Sequence, residues 1–201
     1  METLEFIKQK YNITDQKSPI ELPGGRREKG LALLLKELNF DCGAEIGVAK
    51  GEYSEILCKI NPSLLLFSID AWSIYPGYRD YKNQKELDEF YEKTKERMSN
   101  YNCKIIRGWS MDVVKDFPDE KLDFVFIDGG HDFKNIADDI VEWSKKVRPG
   151  GIVSGHDWYD ENKGIRFAVK EVVSAFCQHN KIKDLFIWKG DKCPSWMFVK
   201  Q

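Results

Sequence analysis

Two apolar segments of the sequence each end in an aspartate that lies close to a histidine. Asp128 ends the run in FVFIDGGHDF (124–133), and Asp157 ends the run in GIVSGHDW (151–158). If the two segments are neighbouring strands, about 4.8 Å apart, their carboxylates converge, and repulsion would make one of them take up a proton. A divalent cation would remove this conflict, and oxygen ligands suit magnesium, manganese or calcium. The spacing therefore predicts a metal site at Asp128 and Asp157.

His156 directly precedes the second aspartate and is a third candidate metal ligand. A neutral imidazole would shift the preference of the site toward manganese, iron, nickel or zinc. Side chains alternate between the two faces of a strand, so His156 points away from Asp157 unless the strand end curls. Asp157 is for this reason the stronger candidate.

A second group of residues has the spacing of a nucleoside site. Glu45, Gly47 and Gly51 form an E-x-G-x-x-x-G pattern, and Asp70 ends the next apolar run, 23 positions after Gly47. Glycine lets the backbone turn tightly and approach a ligand, and an acid at this place can accept hydrogen bonds from ribose hydroxyls. The G-x-G-x-x-G pattern of dinucleotide binders is missing. The residues predict a nucleoside across two strand tips without a diphosphate site; for Asp70, a helix cap or loop contact is the alternative.

Strands and helices alternate along the chain, which predicts the elements that must position these residues. The alternation favours an α/β fold: a Rossmann-like, doubly wound, mostly parallel seven-stranded sheet with helices on both faces. Such sheets bind ligands at the carboxyl ends of their strands, where the strand order switches. The predicted strands are 42–48, 63–72, 103–108, 122–128, 151–157, 184–190 and 195–200, and the predicted helices are 51–60, 84–100, 111–117, 132–147 and 164–179.

The two ends of the chain depart from this alternation. The last two strands are joined by DKCP, which is too short for a helical crossover, so they should form an antiparallel hairpin at the sheet edge. Residues 1–40 are interpreted as an N-terminal helical segment and residues 41–201 as a cofactor-binding core, within a single domain over 1–201.

Composition and charge narrow the range of partners and locations. The 201 residues carry a net charge of −2 and are 42% hydrophobic, which is typical of a globular protein. This balance gives no general attraction to nucleic acid or anionic membranes. The basic segment GRREK at 25–29 is expected to be solvated surface, with substrate contact as the alternative. There is no signal sequence or run of about 18 apolar residues, and five widely spaced cysteines fit small buried thiols kept reduced in a cytoplasm.

Longer stretches of the chain resemble a known family. The order of elements, EIGVAKGE at 45–52 and SID at 68–70 resemble the class I S-adenosylmethionine-dependent methyltransferases. Within that class, the stretch IDGGHDFKNIADDIVEWSKKVRPGGIVSGHDW (127–158) and the following NKGIRFAVKEVV are similar to the sugar and macrolide O-methyltransferases. The resemblance covers most of the chain from about residue 30 onward.

The resemblance implies S-adenosylmethionine as the cofactor and assigns residues to it. Glu45 and the two glycines would line its methionine and ribose end, and Asp70 would hold the ribose diol. Ser110 and Met111 would contact the adenine, with Trp109 nearby, in an apolar slot with one or two polar contacts. Core packing is the alternative for Trp109 and Met111. The full set assigned to the cofactor is Glu45, Gly47, Gly51, Asp70, Ser110, Met111 and Asp128.

The resemblance also implies metal-assisted chemistry on a hydroxyl group. In that subgroup the acids that match Asp128 and Asp157 hold a metal, and the histidine that matches His131 is the proposed general base. Magnesium or manganese is the expected ion, although the subgroup often has an acid where this chain has His156. The implied acceptor is a hydroxylated small molecule, with a sugar or glycosylated compound favoured, and a homo-oligomer is compatible with the sequence.

An aromatic loop, WSIYPGYRDYKNQ at 72–84, directly follows the second apolar run. Irregular loops of this length are usually functional, so we predict a lid over the acceptor; an aromatic cluster that steadies the next helix is the alternative.

Three other functions stay open on the sequence. One is a metal-independent methyltransferase. A nicotinamide-dependent oxidoreductase is the second, and the missing G-x-G-x-x-G pattern counts against it. The third is a non-catalytic nucleoside-binding subunit, which would not need Asp128, His131 and Asp157.

Overall fold

One sheet of eight strands forms the centre of the described part of the chain. The computed structural model describes residues 2–14, 16–23, 27–75, 83–159, 161–162, 165–166, 168–189 and 193–201. Its strands are β1 (Ile20–Leu22), β2 (Cys42–Ile46), β3 (Leu65–Asp70), β4 (Cys103–Arg107), β5 (Leu122–Ile127), β6 (Val147–Gly155), β7 (Glu161–Asn162), β8 (Ile165–Arg166), β9 (Leu185–Trp188) and β10 (Ser195–Val199), of which β7 and β8 form a separate antiparallel pair.

Helices connect most of these strands. They are α1 (Thr3–Lys10), α2 (Arg27–Glu37), α3 (Glu52–Ile60), α4 (Gln84–Met98), α5 (Ser110–Val113), α6 (Phe133–Lys146) and α7 (Val169–His179), and a 3-10 turn at Val114–Asp116 continues α5. Among the described residues, we find no helix whose length and apolar character would let it span a membrane.

The strand order places a switch point in the middle of the sheet. The order is β1-β9-β10-β6-β5-β2-β3-β4, and β2 pairs in parallel with both β3 and β5. The chain therefore builds outward from β2 on one side, through β3 and β4, and continues on the other side with β5 and β6. This reversal opens a crevice at the carboxyl ends of β2 and β5, where doubly wound sheets bind ligands. The predicted α/β fold with a mostly parallel sheet is confirmed.

The alternating side chains of β5 show why helices cover both faces of the sheet. Phe124 and Phe126 belong to the buried cluster that contains residues of α2 and α3. Val125, between them, belongs to the cluster that contains Trp143 of α6. Successive strand residues point to opposite faces, and each fully buried side chain of this size contributes about 1.5–3 kcal/mol. Both faces of β5 are therefore apolar.

The N-terminal segment contains a strand that the sequence analysis did not predict. β1 runs parallel to β9, with Ile20 opposite Phe186, so the sheet has eight strands where seven were expected. The last two strands do form an antiparallel hairpin, but β10 lies between β6 and β9, and β1 covers β9. The hairpin is therefore not the sheet edge. Three residues are too few to show a strand period, and β1 forms because β9 offers free backbone groups for pairing.

The helix predicted over 164–179 begins later, at Val169. Within the predicted range, Ile165–Arg166 is instead a strand that pairs with Glu161–Asn162 in the short β7–β8 ribbon. Elsewhere, the predicted elements agree with the observed ones and differ mainly at their ends.

Candidate active site

A cavity of about 820 Å³ lies at the carboxyl ends of the central strands. It is lined by residues predicted for different roles: Glu45, Gly47, Asp70, Trp109, Ser110, Met111, Asp128 and His131. Gly51, His156 and Asp157 are not part of its lining. The expected cofactor residues and the expected base therefore share one space, which is what a transfer reaction between two bound molecules requires.

The two glycines that follow β2 lie in different surroundings, each of which disfavours a larger side chain. Gly47 has a φ of +86°, and a Cβ there would lie 2.2 Å from the carbonyl oxygen of Asp128. Gly51 has a φ of +71°, and its Cβ would lie 2.9 Å from Cγ2 of Thr94. Gly47 therefore lets two strand-end loops touch at the cavity. Gly51 lies where the start of α3 approaches α4, and it does not line the cavity.

The carboxylate of Asp70 holds the loop that follows β2. Its Oδ2 accepts hydrogen bonds from the backbone N–H groups of Val48 and Ala49, both at 2.9 Å, and its Oδ1 accepts one from Trp72 at 2.7 Å. The loop contact considered as an alternative is thus present. A carboxylate offers about four lone-pair positions, so three amide contacts still leave room for a ligand hydroxyl at the cavity wall.

Glu45 is fixed by hydroxyl groups beneath the cavity. The side chain is 2% exposed and accepts a hydrogen bond from the hydroxyl of Ser54 on α3. The Ser54 oxygen also lies 2.8 Å from the hydroxyl of Ser68 on β3. Buried polar groups need such partners, and here they hold the carboxylate at the end of β2.

Ser110 begins α5 and bonds to α6 instead of pointing freely into the cavity. Its hydroxyl donates a hydrogen bond to Asp139 and accepts one from Nε1 of Trp143 at 2.7 Å. Asp139 lines the cavity and is 4% exposed. Burial raises the pKa of Asp139 to about 6, although the Ser110 hydrogen bond lowers it; the negative charges of Asp138 and Asp132 raise it further.

The sequence analysis missed Asp139. The signal was present, because Ile136, Asp139, Ile140 and Trp143 recur at helical spacing on the buried face of α6. A carboxylate on an apolar helix face either has a partner or a function, and this exception to the pattern could have been noticed.

Four side chains form an acid–histidine cluster at the ends of β5 and β6: Asp128, His131, His156 and Asp157. The two strands are parallel neighbours, with Ile127 opposite Gly155, as the sequence predicted. Nε2 of His131 lies 2.6 Å from Oδ2 of Asp157 and 4.0 Å from Oδ1 of Asp128.

The second histidine contacts the same two acids. Nδ1 of His156 lies 3.1 Å from Oδ1 of Asp157 and 3.4 Å from Oδ1 of Asp128. Each imidazole therefore faces both carboxylates, so the cluster mixes nitrogen and oxygen donors.

The strand end curls, which brings His156 into the cluster. β6 ends at Gly155, and Asp157 has a φ of +58°, in the left-handed region that few aspartates occupy. Trp196 donates from Nε1 to the carbonyl of His156 at 3.1 Å, and the N–H of Trp158 donates to the carbonyl of Pro194 at 2.9 Å. These contacts from the β9–β10 region hold a turn in which His156 faces Asp157, whereas the alternation of a regular strand would point the two side chains apart.

The cluster changes the protonation of both histidines. Burial alone would lower the pKa of His131, but contacts with Asp128 and Asp157 raise it to about 10. Burial would likewise lower the pKa of His156, and the same carboxylates raise it to about 9. Burial would raise the pKa of Asp157, but both imidazoles hold it well below its usual range. Two imidazolium groups therefore neutralise the two acids at neutral pH.

The donor atoms of the cluster are close enough to hold an ion. Within the described residues, two sets have ligand atoms within 4.8 Å of one another: Asp128, His131 and Asp157, and His156, Asp157 and Cys193. Mixed carboxylate and imidazole ligands fit manganese, iron, nickel or zinc. Cys193 was not singled out in the sequence, where all five cysteines were expected to be buried; Cys58 and Cys177 are buried, but Cys193 is not.

The first part of the predicted lid has two different environments. Trp72 is fully buried, and its ring centroid lies 5.0 Å from that of Tyr91 on α4. Tyr75 lines the cavity and meets Trp109 edge-to-face at 5.7 Å. Trp72 therefore packs in a core cluster, as the alternative held. Pro76, Gly77, Tyr78, Arg79 and Tyr81 of this loop, and residues 25–26 of the basic GRREK segment, lie outside the described residues.

A comparison with known protein families gives a match over this region. A family described as a methyltransferase domain matches residues 44–158, which is more than half of the chain and includes both the loop after β2 and the acid–histidine cluster. The chain belongs to this methyltransferase family. A search of curated protein sequences gives no significant match.

Several solved structures share this fold. A Staphylococcus aureus protein provisionally assigned as a caffeoyl-CoA O-methyltransferase has a TM-score of 0.65 and 15% identity, covering 98% of this chain and 90% of its own. TomG of Streptomyces achromogenes, an O-methyltransferase involved in tomaymycin synthesis and solved with S-adenosylmethionine, has a TM-score of 0.62 and 18% identity, with coverages of 100% and 91%. A Bacillus cereus O-methyltransferase solved with S-adenosylhomocysteine has a TM-score of 0.63 and 16% identity, with coverages of 98% and 90%.

The family match confirms the predicted methyltransferase, and the solved structures share its fold. They count against the nicotinamide-dependent oxidoreductase considered as an alternative. The resemblance to sugar and macrolide enzymes stays a prediction, as do the roles of the individual site residues.

Proposed function

We propose that this methyltransferase transfers the methyl group of S-adenosylmethionine to a hydroxyl oxygen of a small molecule, assisted by a divalent cation at the acid–histidine cluster. The observation that carries the proposal is the shared cavity, which Asp70 and Ser110 line together with Asp128 and His131. A methyl donor and a hydroxyl acceptor can meet directly only if both enter one cavity.

The charge of the cavity lining favours a cationic donor. Carboxylates outnumber lysines in it: Glu45, Glu52, Asp70, Asp128, Asp138 and Asp139 against Lys50 and Lys134. S-adenosylmethionine carries a positively charged sulfonium, which such a lining attracts, and the thioether product leaves as a neutral group. This difference in charge between donor and product favours binding of the donor over retention of the product.

Alignment is the main task of the chain in this reaction. Methyl transfer from a sulfonium is an in-line displacement with an activated donor, so the rate depends on the placement of acceptor oxygen, methyl carbon and sulfur. Asp70, held by three backbone amides, would accept from the ribose diol, and Ser110 would lie at the adenine. His131 faces the same cavity from the loop after β5, on the acceptor side of the proposed arrangement.

His131 is the proposed general base for the acceptor hydroxyl, which must lose its proton near the moment of attack. The imidazole must be neutral to take this proton, whereas its 2.6 Å contact with Asp157 favours the charged form. A divalent cation bound at these carboxylates would lower the pKa of the acceptor hydroxyl. It would also replace His131 as the positively charged partner of Asp157, so that the imidazole could become neutral. His131 could then rotate toward the acceptor and accept its proton.

A sugar or glycosylated compound is the acceptor that we favour. Support comes from the resemblance of residues 127–158 to sugar and macrolide O-methyltransferases and from Tyr75 of the 72–84 loop, an aromatic side chain in the cavity lining. Amphipathic aromatic rings suit acceptors with one apolar and one polar face. Action on small molecules in the cytoplasm, without nucleic acid or membrane partners, is part of the same proposal, and the oligomeric state stays open.

Binding and turnover should be measured separately. Isothermal titration with S-adenosylhomocysteine, in EDTA and in manganese, should give binding in both conditions. Transfer of a labelled methyl group to a panel of sugars and glycosides should require the metal. No binding of S-adenosylhomocysteine in either condition would contradict the donor assignment, and full turnover in EDTA would contradict the metal assignment alone.

A metal-independent methyltransferase is the second candidate. The observation that favours it is the charge balance of the cluster, in which His131 and His156 already neutralise Asp128 and Asp157. Under this alternative, EDTA leaves turnover unchanged and manganese does not bind in titrations.

A further inference from the structure

The thiol of Cys193 lies beside His156 and Asp157. The ligand atoms of these three residues all lie within 4.8 Å of one another. Across the described part of the chain, Cys193 is the only cysteine whose sulfur belongs to a set of this kind. None of the three residues lines the cavity, whereas Asp128 and His131 do. The set therefore lies beside the cavity and not in it.

The pairing of β6 with β10 places Cys193 next to the end of β6. Gly155, the last residue of β6, lies opposite Trp196. The carbonyl of Pro194, which directly follows Cys193, accepts a hydrogen bond from the N–H of Trp158 at 2.9 Å. Backbone contacts thus hold together two segments that are distant in sequence. A ligand that bridges the two segments finds its donors already in place, which lowers the entropy cost of binding.

The two carboxylate oxygens of Asp157 face different partners. Oδ2 lies 2.6 Å from Nε2 of His131, and Oδ1 lies 3.1 Å from Nδ1 of His156. Oδ1 also accepts a hydrogen bond from the hydroxyl of Tyr159 at 2.9 Å, and the thiol of Cys193 donates to that hydroxyl at 3.7 Å. Because a carboxylate offers about four lone-pair positions, Asp157 can bind one cation through Oδ2 and a second through Oδ1.

The donor atoms of this set select a different class of ion from magnesium. Thiolate and imidazole ligands suit zinc, whereas magnesium and calcium take oxygen ligands. Zinc bonds are about 2.0–2.3 Å long, so small side-chain rotations bring ligand atoms of this spacing onto one ion. A thiolate and a carboxylate together also balance the charge of a divalent cation.

We propose that His156, Asp157 and Cys193 form a second cation site, which takes zinc and fastens the turn after β6 to the segment before β10. The site goes beyond the proposed methyl transfer, since its three residues lie outside the cavity lining. Asp157 has a φ of +58°, and a backbone conformation of this kind persists only when its surroundings hold it. Zinc ligands from both segments hold this turn, and the free energy of zinc binding to the folded chain adds to its stability.

Cobalt(II) is the probe for the sulfur ligand, because it substitutes for zinc and absorbs light when a thiolate binds it. Titration of the metal-free full chain with cobalt chloride should produce a thiolate-to-cobalt charge-transfer band in the near ultraviolet. Cys193→Ser should lack this band. Cys42→Ser, which changes a half-buried cysteine outside both ligand sets, is the matched control and should keep it. No band in the wild type would overturn the inference and leave the proposed methyl transfer untouched.

Asp128→Asn distinguishes this site from the cation site proposed at Asp128 and Asp157. Asp128 does not belong to the set that contains Cys193, so the variant should keep the band whether or not methyl transfer depends on a metal. Loss of the band at saturating cobalt would mean a single shared ion, which overturns the second site.

Thermal unfolding tests zinc itself. At a zinc concentration of about 100 times the dissociation constant, the rise in melting temperature should be about 5–10 °C larger in the wild type than in Cys193→Ser. An equal rise in the two proteins would overturn the site. If Cys193→Ser does not fold, alkylation of the wild type tests the same ligand. Zinc should slow the reaction of iodoacetamide with Cys193 by at least about 10-fold, as peptide mass spectrometry measures, and an unchanged rate would overturn the site.

Discussion

The carboxylates at the donor end of the cavity and those of the acid–histidine cluster are held in different ways. Toward the donor end, Asp70 accepts from backbone amides and Glu45 from a serine hydroxyl. In the acid–histidine cluster, Asp128 and Asp157 instead face two ionisable imidazoles. Neutral donors keep their geometry over a wide range of pH and ionic conditions, whereas ionisable partners can be displaced by an ion. Donor binding should therefore be independent of metal, and turnover should depend on it.

Loss of His131 should give the largest difference between an effect on turnover and an effect on donor binding. His131→Gln should reduce turnover by about 100- to 10,000-fold, the usual contribution of a general base, and leave the affinity for S-adenosylhomocysteine unchanged. Initial-rate assays and titrations measure the two effects. His179→Gln, at the exposed end of α7, is the control. Near-normal turnover of a folded His131→Gln enzyme would remove His131 from the reaction.

Loss of Asp70 should affect the donor end instead. Asp70→Ala removes the proposed ribose contact and the acceptor of three backbone amides, so the affinity for S-adenosylmethionine should fall by about 10-fold or more. Metal binding, measured by manganese titration, should stay as in the wild type. Asp119→Ala, an exposed acid paired with Lys146, is the control. An unaltered donor affinity would show that Asp70 only holds the loop after β2 and does not bind the donor.

Asp139 should weaken the fold at neutral pH. Its pKa is about 6 in the folded protein, against 3.8 for an ordinary aspartate such as that of an unfolded chain. A raised pKa contributes stability below pH 4 that is lost as the pH rises through 6. Asp139→Asn should therefore gain stability relative to the wild type between pH 4 and pH 8, by up to about 3 kcal/mol. Denaturant unfolding at both pH values measures this difference, and a constant difference across the range would contradict it.

Replacement of His156 should change the ion preference by the smallest amount. His156→Asp makes the donor set more oxygen-rich, which should favour magnesium over manganese by about 10-fold relative to the wild type. Titration with each metal measures the ratio, and S-adenosylhomocysteine affinity should not change. If the ratio stays the same, His156 is not a ligand.

Strand ends were the part of the site that could be read from the sequence. Asp70, Asp128 and Asp157 follow apolar runs, and parallel strands deliver such residues to one edge of the sheet. The pairing of β5 with β6 was predicted on the same grounds and is observed. These positions follow from local pattern and a small set of permitted topologies.

Features that depend on tertiary contacts could not be read in this way. The three residues of β1 become a strand because β9 lies beside them. His156 joins the cluster because Asp157 adopts a positive φ, in a turn held by Trp196 and Pro194 from distant sequence. Asp139 was visible as a polar residue on an apolar helix face, but its meaning depends on the contact with Ser110.

A crystal structure of the protein with S-adenosylhomocysteine and manganese tests the central claim most directly. Anomalous scattering would locate the ion independently of the protein atoms around it. We expect the nucleoside in the cavity between Asp70 and Ser110, and the ion between Asp157 and Asp128, of which Asp128 lines the same cavity. A nucleoside bound outside this cavity, or an ion located away from the acid–histidine cluster, would contradict the account.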